Sequence, residues 1–499
     1  MLWLALHLPL LSLEAFCATL TPEQGERPAV LLTEHRVSHV NVTAAERGIR
    51  PGMKRATALA LAGDLLVAES NVARDAAALQ AVAHAALVYT PAVTLHDEQT
   101  VLLDVQASLR LFGGLPALWQ RLLASVAPLG HRVHSAAAPT AWGAALLARW
   151  QPGGPPGPHA DTLRALQDRL DSAPVWLLGP GRAHWDALQG MGLHTLSDLR
   201  QLPRAGLARR FGEDLMGDLD RALGLQADPR VWTTLPAVFE SRLELYARAE
   251  TTDAVLAGAA VLLARLVAWA QARQVRVAAF TLAMQHEDHR RAAVPASELR
   301  IELAEPALDA AHLQLLLRER LGRIELVAPT LELRLHCRHT MAAPAPNGEL
   351  FPTRSSQAEG LTRLLERLRA RLGDAQVQRL EAVADHRPEC ASRSVPAHGA
   401  MAPGPPRMAV STLPLHRPTW LLPEPLPLAA RGALPLLQGR PLRLLSGPER
   451  VESGWWDSQP VARDYFIAQT DDGSLVWVYR ARVPGAAGDV DWHLQGRFA

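Results

Sequence analysis

Lysine is almost absent from this chain of 499 residues: Lys54 stands alone among 51 basic residues. The cationic chemistry is therefore that of guanidinium, a planar fork of donors suited to phosphate and carboxylate, although genome composition produces the same bias. Cysteine is scarce as well. Cys17, Cys337 and Cys390 lie far apart, with no CxxC pair. That excludes a disulfide framework or a zinc ribbon and fits a reducing cytoplasm. Net charge is also missing: the formal value is +1. No global basic field exists, so any nucleic-acid surface has to be local. The first sixteen residues imitate a signal peptide, but they carry no Lys or Arg, and His7, Pro9 and Glu14 interrupt the apolar run. No other stretch reads as the roughly 20 apolar residues that span a bilayer. A soluble, cytoplasmic protein is expected.

What is present is ordinary globular composition, 48% apolar and 20% charged, which excludes wholesale disorder. At about 100–200 residues per domain, three or four domains are expected. Leu2–Leu8 reads as a buried strand ended by Pro9, with a helix over Leu10–Phe16. A turn-rich run, Arg47-Gly48-Ile49-Arg50-Pro51-Gly52-Met53, leads to a helix at Arg55–Ala62. Further helices are expected at Asp75–Ala86 and Thr140–Trp150, and a strand at Val101–Val105. The cluster from Gln151 to Pro158 is a breaker. Strands interleaved with helices make this region α+β. Residues 161–232 read as all-helical. From Val238 to Arg338 the order becomes strand, helix, strand, strand, helix, strand. Those strands fall near Phe239–Tyr246, Val275–Met284, Glu298–Leu303 and Arg323–His336, and the helices near Asp253–Arg273 and Asp309–Leu321. Such an order builds one small sheet with both helices on one face. Met341–Asn347 is an Ala/Pro linker, Gln357–Leu372 an amphipathic helix, and Gln376–Val383 a candidate strand. Arg393–Pro427, rich in proline, is expected to be irregular. Gly439–Ala499 reads as small and all-β, with strands at Arg440–Leu445, Asp464–Gln469 and Leu475–Tyr479.

The first strand and helix, the Arg47–Met53 turn and the later Leu102-Leu103-Asp104-Val105 resemble the palm and fingers of Y-family translesion DNA polymerases. The helical block resembles their thumb and the β-α-β-β-α-β block their little finger. The run Leu102–Gly114, the tail from Gly447 to Thr470 and the ending His493–Ala499 are similar to a polymerase-like branch of that family found in a bacterial inducible mutasome. The resemblance spans nearly the whole chain and rests on the order of the motifs. It implies an α+β fold with palm and fingers over residues 1–160, a thumb with a helix-hairpin-helix over 161–235 and a little finger over 236–340. A linker at 341–356, a helix and Pro-rich linker at 357–435, and a mostly-β region at 436–499 complete the expected organisation.

An active member of that family holds two Mg²⁺ ions on three carboxylates, one from the first strand and two from an S-x-D-E-A-x-L-D-like run. Hard cations want anionic oxygen, and the metals neutralise the triphosphate and activate the primer hydroxyl. Here the first-strand position falls on Leu6, with Leu8 two residues later. Aligned on Leu103-Asp104, the acidic pair falls on Gln99 and Thr100. None of these side chains supplies a charge, and Asp104 matches the trailing Asp of the motif. A shifted reading makes Asp97 and Glu98 the pair, still without a first-strand aspartate. The triphosphate-gripping Tyr and Arg positions hold Val42 and Ala45, and the lysine-bearing run of active members corresponds to Thr140–Ala148, which has none. The resemblance therefore implies no catalytic residues and no metal or cofactor. His336, Cys337 and His339 lack a fourth partner nearby and are not expected to bind a metal.

Several candidate contacts remain. Gly179-Pro180-Gly181-Arg182 resembles a DNA-binding hairpin, whose glycines let backbone amides approach a phosphate without reading sequence; the bland alternative is a tight helical turn. Arg209 and Arg210 would support it. In the little-finger-like block, Arg242, Arg248, Arg273, Arg276, Arg290 and Arg291 offer a track for a duplex backbone, but Glu240, Glu244, Glu250, Glu287 and Asp288 are interleaved, and a mixed solvated surface is the other reading. Asn347-Gly348-Glu349-Leu350-Phe351 resembles the Q-L-x-L-F ligand of the bacterial sliding clamp: Leu350 and Phe351 match, Asn347 replaces Gln and Gly348 replaces Leu. The aromatic tail, with Trp455, Trp456, Tyr465, Phe466, Trp477, Tyr479 and Trp492, reads either as a β core or as a stacking platform for single strands. The resemblance implies DNA and three protein partners: the β sliding clamp, a RecA-like accessory protein and an error-prone replicative-type polymerase. The implied role is a non-catalytic scaffold in SOS-induced error-prone lesion bypass; the rival is an active translesion polymerase.

Overall fold

In the computed structural model the described residues are 1–150, 157–287, 295–342, 354–397, 417–457, 459–482 and 492–498. They fall into two compact units, Met1–Arg371 and Leu372–Ala499.

The first unit begins with a four-stranded sheet built around β1 (Trp3–His7). β1 runs antiparallel to both β6 (Thr100–Asp104) and β7 (His134–Ala138), and β5 (Val93–Asp97) flanks β6. All five residues of β1 are buried because both faces of the sheet are covered. Leu4, Leu6 and Leu8 face α3 (Val72–Ala86) and α4 (Leu115–Val126), meeting Val82, Leu118 and Leu122. Trp3 and Ala5 face the other way, with Leu102, toward α5 (Ala141–Trp150) and the helices that follow. α1 (Leu11–Cys17) leads to a second, three-stranded sheet. There β2 (Ala29–Thr33) pairs with β3 (Arg36–Val40) through a tight hairpin and runs parallel to β4 (Leu66–Glu69). Glu34 and His35 adopt φ of 50° and 64°, the left-handed pair a two-residue hairpin of this twist requires. α2 (Arg55–Leu61) covers this sheet through Ala58.

The helical block comprises α6 (Leu163–Leu170), α7 (Gly179–Ala183), α8 (Trp185–Gly190), α9 (Leu196–Gln201), α10 (Arg204–Phe211) and α11 (Glu213–Leu223). Their apolar faces join α5 in one core. Helix ends at Gly224, in the left-handed conformation (φ 74°). The expectation of helix to residue 232 is thus corrected. Residues 225–238 form no helix or strand, consistent with Pro229 and Pro236, and part of them lies along the first sheet: the Thr233 amide donates to the Val93 carbonyl at 2.7 Å, and Trp232 stacks on Trp3 with ring centroids 6.1 Å apart.

Next come β8 (Phe239–Ala249), α12 (Thr252–Ala272), β9 (Val275–His286), β10 (Ser297–Ala307), α13 (Ala310–Leu321) and β11 (Thr330–Ala342). The sheet order is β10-β9-β11-β8, all antiparallel, and both helices bury their apolar sides on one face. α12 is long and apolar enough to cross a bilayer by length and composition, yet 61% of that window is buried as the core helix of this block. Gly258 lets it approach the sheet closely, since a Cβ there would lie 2.8 Å from a Leu333 methyl. α14 (Arg354–Leu372) continues the chain, and its buried Glu366 accepts hydrogen bonds from the amides of Ala304 and Glu305 and pairs with Nε2 of His312 at 2.8 Å.

The second unit holds a two-stranded element, β12 (Gln378–Ala382) with β13 (Ser392–Pro396), and a seven-stranded sheet. The strands of that sheet are β14 (Trp420–Arg431), β15 (Leu434–Leu437), β16 (Arg440–Pro441), β17 (Arg443–Ser453), β18 (Val461–Gln469), β19 (Leu475–Ala481) and β20 (Trp492–Arg497). Their order is β16-β15-β14-β20-β19-β18-β17. The irregular reading of Arg393–Pro427 is corrected where β13 and β14 fall. β14 carries Pro423, Pro425 and Pro427; its pairing with β20 shifts register between Leu421 and Leu426, where Pro423 and Pro425 fall, while Pro427 stays in the ladder opposite His493.

Candidate metal centre and nucleic-acid interface

Pairing register decides which side chains share a face of the first sheet. His7 is opposite Thr100 and Leu6 opposite Val101. Leu6 and Val101 point into the apolar core beneath the sheet, both fully buried. His7, Thr100 and His134 share the other face. There Nδ1 of His7 lies 3.1 Å from the Thr100 hydroxyl, and the His7 and His134 rings are 6.4 Å apart. The residue of β1 that faces α5 next to Thr100 is therefore His7, a position that sequence alignment alone passes over in favour of Leu6.

Around this pair the charges are already engaged. Asp97, at the end of β5, lies 3.6 Å from Arg149 of α5 and accepts the Gln99 amide at 2.8 Å. Glu98 and Gln99 form the two-residue turn into β6, with Glu98 exposed. His96 packs edge-on against Trp142 at 4.3 Å and meets Arg230 at 3.0 Å, while Arg230 pairs with Asp228. Burial, reinforced by Arg149, pushes His7 down to about 4 against the opposing pull of Asp97. Burial likewise pushes His96 to about 4, with Asp97 opposing and Arg230 adding. Both imidazoles are neutral at pH 7. The pocket side of the sheet is thus lined by neutral donors and acceptors and by self-paired charges.

Val42 and Ala45 lie on the short helix Val42–Glu46, Val42 exposed and Ala45 half-buried. Sequence reasoning passed over the cations beside them. Arg36, Arg47, Arg50, Lys54 and Arg55 are all exposed on the three-stranded sheet and its turn. Arg36 donates to the Gly52 carbonyl, Arg50 to that of Ala45, and Arg47 pairs with Asp64. The density of basic residues from Arg47 to Arg55 was the available signal.

In the helical block, Gly179 is exposed and open, with nothing within 4 Å of a Cβ placed there. Gly181 is buried, and a Cβ would meet the Val175 carbonyl oxygen at 2.1 Å, so close helix packing requires glycine. Arg182 is exposed, its guanidinium 5.6 Å over the Trp176 ring. Arg209 and Arg210 are exposed on α10. The following turn, at Gly192, leads into α9, whose start is capped internally: Asp198 accepts from the amides of His194 and Thr195.

On the open face of the β8–β11 sheet the arginines pair with their neighbours. Arg242 and Arg334 both reach Glu332, Arg300 pairs with Glu302, and Arg248 with Glu250 and Glu287. Arg276 is half-buried on β9, in register with Met341, and Arg273 packs over Trp269 on the opposite side of the block. Arg290 and Arg291 lie outside the described residues, as do Asn347, Gly348, Leu350 and Phe351. Cys337 points into the core and donates to the Ala279 carbonyl at 3.3 Å; burial pushes its thiol up to about 11.

In the second unit, Tyr465, Trp477, Tyr479 and Trp492 are core residues, Tyr465 stacking on Trp477 at 4.1 Å. Trp455 and Trp456 are exposed in the turn after β17, where Arg387 lies over Trp456 and bridges Asp385 and Asp457. The tail is therefore mainly a β core, with two tryptophans left at the surface.

Four features come together in the first unit: a palm-like sheet, a small fingers-like sheet, a helical block and a β-α-β-β-α-β block. Residues 12–149 match the impB/mucB/samB family. This is a Y-family polymerase-like domain. Among solved structures the chain is similar to a Dbh ternary complex (15% identity, TM-score 0.37, 68% of this chain and 100% of that one) and to DinB from Sulfolobus solfataricus (16%, 0.35, 69% and 100%). Protein ImuB of Caulobacter vibrioides, from two strains, is 30% identical over 476 residues, covering 90% of this chain and 100% of the relative. The chain belongs to the ImuB family.

Proposed function

We propose that this chain is a non-catalytic polymerase homologue that acts as a scaffold in SOS-induced, error-prone translesion synthesis in the cytoplasm. The observation that carries the reading is the chemistry of the sheet face beside α5. A two-metal centre needs clustered carboxylates, whereas β1 and β6 present His7 and Thr100 there, and Leu6 is turned into the core. Asp97, the nearest carboxylate, is engaged by Arg149, and Glu98 is held in an exposed turn. The rival reading, an active polymerase using Asp97 and Glu98, lacks any acid on β1. On the scaffold reading DNA is held through phosphate contacts at Gly179, Arg182 and Arg276, while Gly181, buried against Val175, shapes the hairpin rather than touching phosphate. The Asn347–Phe351 segment engages the β sliding clamp, and the other partners are a RecA-like accessory protein (ImuA) and an error-prone replicative-type polymerase. Primer extension by the purified full chain with Mg²⁺ or Mn²⁺ and all four dNTPs is the test. No extension above a no-enzyme control is expected; robust incorporation abolished by Asp97→Ala or Glu98→Ala would overturn the reading.

A further inference from the structure

Arg265 lies on α12, where the helix meets β8 and the helices beneath the first sheet. It is 6% exposed. Among the described residues its partners are the Ser241 hydroxyl at 3.2 Å and the Arg242 carbonyl at 3.4 Å, both met by the same Nη1. No carboxylate among the described residues pairs with it, whereas the less enclosed Arg230 and Arg74 have Asp228 and Asp75. Burial lowers its pKa to about 10, so it remains a cation at neutral pH. A buried charge with no counter-charge is strongly unfavourable unless something else supplies one.

Arg265 is one of the residues that line a cleft of about 540 Å³, a volume suited to a small ligand. Phe16, Thr19, Asn71, Arg74 and Tyr246 form other parts of its wall. The charged groups around it are mostly satisfied: Arg74 by Asp75, and Arg242 by Glu332 at 3.8 Å. Glu244 is the remaining carboxylate in the wall. Asn71, Ala73 and Arg74, at the start of α3, also line the cleft.

We propose that this cleft is an oxyanion site in which the unengaged edge of the Arg265 guanidinium holds a phosphate group. The planar fork matches two phosphate oxygens at once. Arg74, already paired with Asp75, adds only positive potential, and Asn71, whose Oδ1 accepts the Arg74 amide, offers the polar group at the wall. The phosphate comes either from a free phosphate compound or from a nucleic-acid backbone. The site is separate from the palm-like sheet face and stands whether or not the chain is a scaffold.

The test is thermal unfolding of the full chain at constant ionic strength, with inorganic phosphate in one arm and a short single-stranded oligonucleotide in the other, against chloride. Wild type should melt several degrees higher with a saturable dependence on the probe. Arg265→Met should lose that response. Ala73→Glu, at an exposed position in the cleft wall, leaves the core untouched and should blunt it by supplying an internal carboxylate. A response to phosphate, lost in Arg265→Met or blunted in Ala73→Glu, supports a site for free phosphate. A response to oligonucleotide alone, removed by the same changes, makes the backbone the source. Equal responses in wild type and variants, or none to either probe, overturn the proposal.

Discussion

His7 and Thr100 face each other across the antiparallel pair β1–β6, with the imidazole Nδ1 3.1 Å from the threonine hydroxyl. The pair is buried, and it joins two strands on the sheet face that turns toward α5. A neutral imidazole and a hydroxyl satisfy one another there without any ion.

This arrangement has an acid signature. The folded pKa of His7 is about 4, against 6.5 unfolded. The unfolded state therefore binds the proton more readily between those values. The stabilisation is complete above about pH 6.5 and is lost as pH falls toward 4, amounting to roughly 3 kcal/mol for this one group. His7→Gln should flatten the pH dependence of stability in that window, measured by denaturant unfolding from pH 4 to 7. An unchanged slope would mean that other histidines carry the effect.

The two glycines of the thumb-like hairpin should behave differently. Gly181→Ala drives a Cβ against the Val175 carbonyl and should cost about 2 kcal/mol or more. Gly179→Ala meets nothing and should stay within about 0.5 kcal/mol. Arg182→Ala should weaken DNA binding uniformly across sequences and reduce the steepness of its salt dependence. Urea melts and salt titrations read the two effects separately.

Glu366 fastens α14 to the little-finger-like sheet. Burial opposes its ionisation, but the hydrogen bonds from His312 and from the Glu305 and Ala304 amides outweigh this and hold its carboxyl below the usual range. Glu366→Ala leaves those donors unmatched and should cost roughly 3 kcal/mol. Limited proteolysis should then cut within 354–372 sooner than in wild type. Equal protection would show that apolar contacts alone hold the helix.

Leu350→Ala with Phe351→Ala should abolish clamp binding in a titration while leaving the melting temperature nearly unchanged. Truncating such anchors costs about 2 kcal/mol or more, some thirtyfold in affinity. Asn347→Gln with Gly348→Leu should tighten binding. Wild-type affinity in the double alanine variant would move the contact elsewhere.

Periodicity carried much of the fold. The alternation in β8 and β9 and the long apolar run of α12 could be read directly, because each buries one regular face. The short strands β2 to β5 escaped, since four or five residues hold too few periods to stand out from loop. β14 escaped because three prolines argue against a ladder; the structure absorbs Pro423 and Pro425 in a register shift and keeps Pro427 opposite His493. At the candidate metal centre, Thr100 was legible in the sequence but its neighbour on β1 was not: the alignment falls on Leu6, which the structure turns into the core, because a one-residue difference on a strand reverses the face and only cross-strand pairing fixes it. Arg265 sits in a helix so apolar that sequence alone suggests a solvated interruption; its burial depends on how α12 packs on β8 and on α3, the latter distant in sequence.

The docking of α14 bears on reach. Residues 343–353, which include Asn347, Leu350 and Phe351, join the end of β11 at Ala342 to the start of α14 at Arg354. Both ends are moored to one body, so about 40 Å of fully extended chain must go out and return. The midpoint of such a loop travels no more than about 20 Å from its moorings. On the proposed clamp contact, that chain length would keep the ring close to the little-finger-like block at high effective concentration and leave few orientations open to it.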